Sequence, residues 1–253
     1  MAGAGTGWSF GCQQGGKMAQ QEKIQLQVED GTKMDAYVAR PQDSDGKSVH
    51  PAIIVLQEAF GVNSHIRDVA DRFAAQGYVG IAPELFHRTA PGFEGNYKDF
   101  SSVVPHMQAM TTPGAQADLR AVFAWLQSQS SIERSNISSV GFCMGGRISF
   151  LANATLPLRA AASFYGGGIA PALLEYSAGL HGPMLFFWGE LDKHIPADQR
   201  AAVTGSLKKN GKIYINVEFS NADHGFFCDE RPAYQPQAAR QAWALLLEFL
   251  RST

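Results

Sequence analysis

Cysteine is scarce in this chain: Cys12, Cys143 and Cys228 are the only three among 253 residues. An odd, unpatterned set excludes a disulfide-stapled scaffold and fits free thiols in a reducing, cytoplasmic setting. Charge is sparse too. Charged residues make up 17% of the chain, and 21 Lys and Arg against 23 Asp and Glu leave a formal net charge of −2. With no long Lys/Arg run, the chain lacks the electrostatic footprint of a nucleic-acid or anionic-membrane partner. No apolar run approaches the roughly 18 residues that a bilayer span requires. Neither metal-ligand spacing nor a dinucleotide fingerprint appears, so no metal and no cofactor is expected. What the chain does hold is 45% hydrophobic residues, enough at this length for a substantial core. A small molecule is the expected partner, bound by a monomer or small homo-oligomer.

Residues 1–20 are rich in Gly and polar side chains and lack the apolar segment of a secretion signal. They are expected to form a flexible tail or leader, with Met18 a candidate start. Gly11-Cys12 has the look of a lipoprotein cleavage site, but no apolar run precedes it. From about residue 21 onward a single domain is expected. "KIQLQVED" and "KMDAYVAR" alternate as a hairpin around Asp30-Gly31. "PAIIVLQE" is a continuous apolar run, the mark of a strand covered on both faces. "SHIRDVADRFAAQG" then carries helical spacing, with Ser64 as expected N-cap and Gly77 as C-cap. Strands at "YVGIAPE", "ISSVGF", "RAAASFYG", "PMLFFWGE" and "KIYINVEFS" alternate with helices up to the closing "YQPQAARQAWALLLEFLRS". Strict alternation predicts an α/β fold with a mostly parallel central sheet and helices on both faces.

In such sheets ligands sit at the carboxyl ends of strands, and three strand ends carry chemistry. The first is "GFCMG", which puts Cys143 in a Gly-x-Cys-x-Gly turn between strand and helix. Small residues two before and two after let the chain pass closely, and the helix N-terminus favours negative charge on sulfur. A buried thiol beside a Gly-rich or phosphate-binding turn is the plainer reading, although the Lys-Ser/Thr ending of a P-loop is missing. The second is Asp192 in "WGELDKHIP", either a helix-capping aspartate or the acid that orients a histidine. The third is His224 in "ADHGFF", either a solvated loop side chain or a general base. Cys143, Asp192 and His224 follow successive core strands in the order nucleophile, acid, histidine. That is the order of the α/β-hydrolase triad.

The residues "QEAFGVNSHIRDVADRFAAQGY", "IAPELFHRTAPG", "VGFCMGGR", "WGELDKHIP" and "DHGF" resemble the dienelactone hydrolases (carboxymethylenebutenolidases), a family of the α/β-hydrolase fold. The likeness runs from about Lys23 to the closing helix. It implies that Glu58 lies beside the thiol and takes its proton when substrate binds. It also implies an oxyanion hole from the backbone N–H groups of Ala59 and Met144. Arg88 matches one of two family arginines that hold the lactone carboxylate. The other is expected at the position of Cys228, with Arg231, three residues on, as a substitute. Phe226 and Phe227 are expected to line the pocket or to belong to the core. The resemblance implies hydrolysis of a small lactone or ester through an acyl-enzyme. A broader carboxylesterase or thioesterase using the same triad, and a catalytically silent binding module, are the alternatives.

Overall fold

A computed structural model describes residues 19–42 and 48–253. The expectations for residues 1–18, Met18 and Cys12 among them, lie outside that range. Eight strands form one sheet in the order β1-β2-β4-β3-β5-β6-β7-β8. The hairpin β1 (Gln20–Gln27) and β2 (Lys33–Arg40) is antiparallel, and β2 meets β4 (Val79–Pro83) antiparallel. Every other pairing is parallel: β3 (His50–Leu56), β5 (Ile132–Phe142), β6 (Ala161–Phe164), β7 (Met184–Gly189) and β8 (Tyr214–Phe219). This is the mostly parallel α/β-hydrolase sheet.

Continuous apolar runs become central strands because helices cover both faces. Ala52 to Leu56 of β3 and all of β7 are buried. The helices are α1 (Ser64–Ala75), α2 (Val104–Ala109), α3 (Thr112–Ser128), α4 (Met144–Thr155), α5 (Ala197–Lys209) and α6 (Pro236–Ser252). In α1 the cap lies one residue before the expected Ser64: the Asn63 side chain accepts from Ile66 N–H. Asn63 wins because its backbone is extended while Ser64 is already helical. Likewise Gln76 closes the helix, and Gly77 follows at φ +90°, the left-handed residue that ends a helix without a Cβ clash. Strand β5 starts earlier than "ISSVGF" suggests, because its first residue pairs with His50 across an irregular register. No described helix is long and apolar enough to cross a membrane.

Parallel register brings the site together. Leu56 pairs with Gly141, so the loops after β3 and β5 emerge side by side. The loops after β7 and β8 leave the same edge, since Gly189 pairs with Phe219.

Candidate active site

Cys143 occupies the single residue between β5 and α4, at φ 54° and ψ −116°. A side-chain-bearing residue pays for a left-handed backbone and holds it only under tight constraint. The two flanking glycines show that constraint. A Cβ on Gly141 would lie 1.9 Å from the Gly145 carbonyl oxygen, and one on Gly145 would lie 2.2 Å from the Leu56 oxygen. The turn therefore presses against its own helix and against β3. Neither the Met144 nor the Ala59 N–H donates to a protein acceptor among the described residues. Met144 opens α4 just after β5 and Ala59 lies in the loop after the adjoining β3, the two-sided placement that an oxyanion hole requires.

His224 Nε2 lies 3.0 Å from Cys143 Sγ, and His224 Nδ1 lies 2.7 Å from Asp192 Oδ2. The second Asp192 oxygen accepts from His194 N–H at 2.8 Å. Asp192 is 3% exposed, so its charge is little screened. Burial by itself would raise its carboxyl, but the His224 bond and charge hold it below the usual carboxylate range. Burial would likewise push the His224 imidazolium down. The interactions with Cys143 and with Asp192 outweigh it, and the ring rises to about 10. The sequence-predicted nucleophile, base and orienting acid meet in one chain of contacts.

A cavity of about 360 Å³ opens over the thiol, lined by Phe60, Phe100, Met107, Arg147, His194 and Arg231 beside Cys143, Met144 and His224. Its apolar wall suits the body of a small ligand, with few polar groups to orient it. Glu58 is completely buried and bound through one oxygen by Arg231 Nη1 at 3.0 Å. Its other oxygen has no partner. Arg231 reaches this place from three residues beyond Cys228, with its guanidinium against the rings of Phe60 and Tyr97. Cys228 is buried below; burial first, then Glu58, pushes its thiol up to about 12, and it donates to Tyr97 Oη. His65, Cys228 and Asp229 bring one donor atom each within 4.8 Å of one another.

Two expected substrate contacts lie elsewhere. Arg88 faces a different cavity, and its guanidinium is engaged by Asp118 at 2.7 and 2.9 Å and by Asp30 at 2.7 Å. The acceptor it was expected to find in a substrate is supplied by the protein. Phe226 is fully buried and packs against Tyr165 and Phe219 as core; Phe227 stacks on Phe142. Phe60, Phe100, Met107 and Arg147 do line the cavity, and sequence reasoning missed them. Tyr165 was missed as well: at φ 38° it sits against His224 with its hydroxyl unpartnered.

The profile of the dienelactone hydrolase family matches residues 34–253. The chain belongs to that family. A protein from Synechocystis sp., provisionally named a carboxymethylenebutenolidase, is 39% identical over 206 residues, covering 77% of this chain and 82% of its own. The carboxymethylenebutenolidase of Pseudomonas sp. strain P51 is 28% identical over 233 residues, covering 91% and 94%. The crystal structure of a provisionally named dienelactone hydrolase from Klebsiella pneumoniae superposes with a TM-score of 0.82 at 30% identity, covering 92% of this chain and 100% of that one. Family membership and the Cys143-His224-Asp192 geometry make this chain a hydrolase with a cysteine nucleophile, not a silent binding module.

Proposed function

We propose that this dienelactone hydrolase family member opens a small lactone or ester through an acyl-enzyme on Cys143. The observation that carries the reading is the 3.0 Å contact between Cys143 Sγ and His224 Nε2, with Asp192 behind the ring and the cavity in front. The Cys143 sulfur attacks the carbonyl carbon, and the resulting oxyanion is met by the Ala59 and Met144 N–H groups. Losing one such donor costs about 2.7 to 4 kcal/mol of barrier. When the carbon–oxygen bond breaks, the imidazolium gives its proton to the leaving oxygen.

The timing of that transfer follows from what raises the ring. The electrostatic interaction with Cys143 is the strongest of the raising influences on His224, and it disappears as the thioester forms. His224 then parts with its proton readily and, neutral, becomes the base that takes one from water. Water attacks the thioester carbon, the sulfur leaves, and the ion pair is restored. Glu58 makes no hydrogen bond to Cys143, and the acceptor at hand for the thiol proton is His224. In this reading Glu58 instead fixes Arg231 at the cavity wall.

Cys143→Ala is expected to abolish hydrolysis of a dienelactone while leaving the thermal unfolding transition in place; an active alanine variant overturns the proposal. Assaying the parent protein on a dienelactone beside p-nitrophenyl esters and thioesters separates a lactone hydrolase from a general esterase.

A further inference from the structure

Arg147 and Arg231 both line the Cys143 cavity, but they differ in what faces them. Arg231 is neutralised by Glu58 at 3.0 Å. Arg147, in the first turn of α4, has no side-chain hydrogen bond or ion pair among the described residues. Burial lowers its guanidinium from the ordinary value, and the nearby Cys143 opposes that only in part. Partly desolvating a cation without a counter-charge is unfavourable, and such groups normally acquire a partner.

The surroundings say where that partner must come from. The far side of Arg147 borders a second cavity of about 110 Å³, lined by Met110, Thr111, Ala115, Leu151 and Leu173 among others. Its walls carry no carboxylate, and the Thr111 hydroxyl is already the N-cap acceptor of Gly114 N–H. Opposite the guanidinium runs bare backbone: a Cβ on Gly168 would stand 3.3 Å from Arg147 Cδ and 3.4 Å from Nη1. Two hydroxyls, those of Thr111 and Thr112, are on the second cavity's wall, and among the described residues neither bonds the guanidinium. Arg88 cannot serve instead, since Asp118 and Asp30 occupy it.

We propose that Arg147 is the specificity-determining residue of the site, binding a carboxylate carried by the ester or lactone whose carbonyl Cys143 attacks. The planar guanidinium can meet a carboxylate with two parallel N–H···O bonds, fixing both distance and orientation. This assignment rests on the proposed function only in taking Cys143 as the reacting atom.

Alkylation of Cys143 tests it without turnover. The sulfur displaces iodide from iodoacetate, which carries a carboxylate, or from iodoacetamide, which is its neutral counterpart; one S–C bond forms and one C–I bond breaks. The ratio of the two rates is read on the Cys143 peptide by mass spectrometry. Arg147→Met is expected to lower the iodoacetate-to-iodoacetamide ratio by on the order of 10- to 100-fold, the value of charge-assisted hydrogen bonds. Arg147→Lys keeps the charge without the fork and should fall between. An unchanged ratio overturns the proposal, as does an equal slowing of both reagents, which would make Arg147 a partner of the thiol instead. Should the variants fail to fold, succinate added to the unaltered protein must protect Cys143 from iodoacetamide while succinamide does not; equal or absent protection overturns it. A protein that shows the ratio but hydrolyses no ester would sink the proposed function and leave standing only the recognition of a carboxylate by Arg147 beside Cys143.

Discussion

Replacing Arg231 by Met removes the cation from a carboxylate that has no access to water. Glu58 is 0% exposed, and the only charge bonded to it is the guanidinium at 3.0 Å. At that separation the attraction is about 5 to 6 kcal/mol for an effective dielectric constant of about 20. Desolvation of both ions offsets much of this when the pair forms, so the pair itself contributes little net stability. Removing one member is different, because the desolvation already suffered by Glu58 is left uncompensated. Breaking a buried pair in this way costs about 3 to 5 kcal/mol. For a domain of this size each kcal/mol shifts Tm by about 2 to 4 °C, so Arg231→Met should melt roughly 6 to 20 °C below the parent. Adding Glu58→Gln removes the stranded charge and should restore a good part of the loss. Urea unfolding of the parent, both single variants and the double variant closes a double-mutant cycle. If Arg231→Met stays within about 0.5 kcal/mol of the parent, or if the cycle is additive, Glu58 is not held as described.

Gly145→Ala drives a methyl into the Leu56 and Gln57 carbonyl oxygens, 2.2 and 2.5 Å from the new Cβ; since backbone must move, it should destabilise by at least about 1 to 3 kcal/mol. The same shift displaces the two proposed oxyanion donors, so kcat on any ester should fall by about 100-fold or more. The His224 ring should titrate near 10 by NMR, and well below that in Cys143→Ala, where the sulfur is gone. The sign for stability follows: a folded value raised above the unfolded one, near 6.5, means a contribution fully present below that pH and lost as pH rises through about 10. Arg88→Met should cost about 1 to 3 kcal/mol in urea unfolding, because it leaves the buried Asp118 carboxylate with His87 Nε2 at 3.0 Å in place of the guanidinium, without moving the ratio of anionic to neutral ester turnover.

Much of this molecule is legible in its sequence because its signals are local. A two-face-buried strand has to be a continuous apolar run, as "PAIIVL" and "MLFFWG" are, and a close-packed elbow needs small residues at fixed spacing around Cys143. Chain order alone then lines up Asp192 and His224. The carboxylate-binding side was not legible, because the fate of an arginine depends on which acid reaches it across the fold. Asp118 on α3 takes Arg88 out of use, whereas Arg147, an unremarked residue of "GFCMGGR", is left facing the thiol. The aromatic pair Phe226 and Phe227 stayed open between pocket and core for a similar reason. Phe226 and Phe60 are equally apolar, and only the β3 and β8 loop paths decide which one meets the cavity. Helix α2 escaped notice because six residues carry too little periodicity to register.

The backbone of Cys143 has a wider consequence. Its left-handed geometry is imposed by Gly141, Gly145 and β3, not by the cysteine, so the protein specifies a location in space before it specifies an atom. Whatever side chain stands there is presented to His224 and to the same two amide hydrogens. A single codon could exchange a soft, polarisable nucleophile for a hard oxygen one without rebuilding the support. On such a scaffold the choice of reactive element and the choice of substrate are separable, and they can evolve independently of each other.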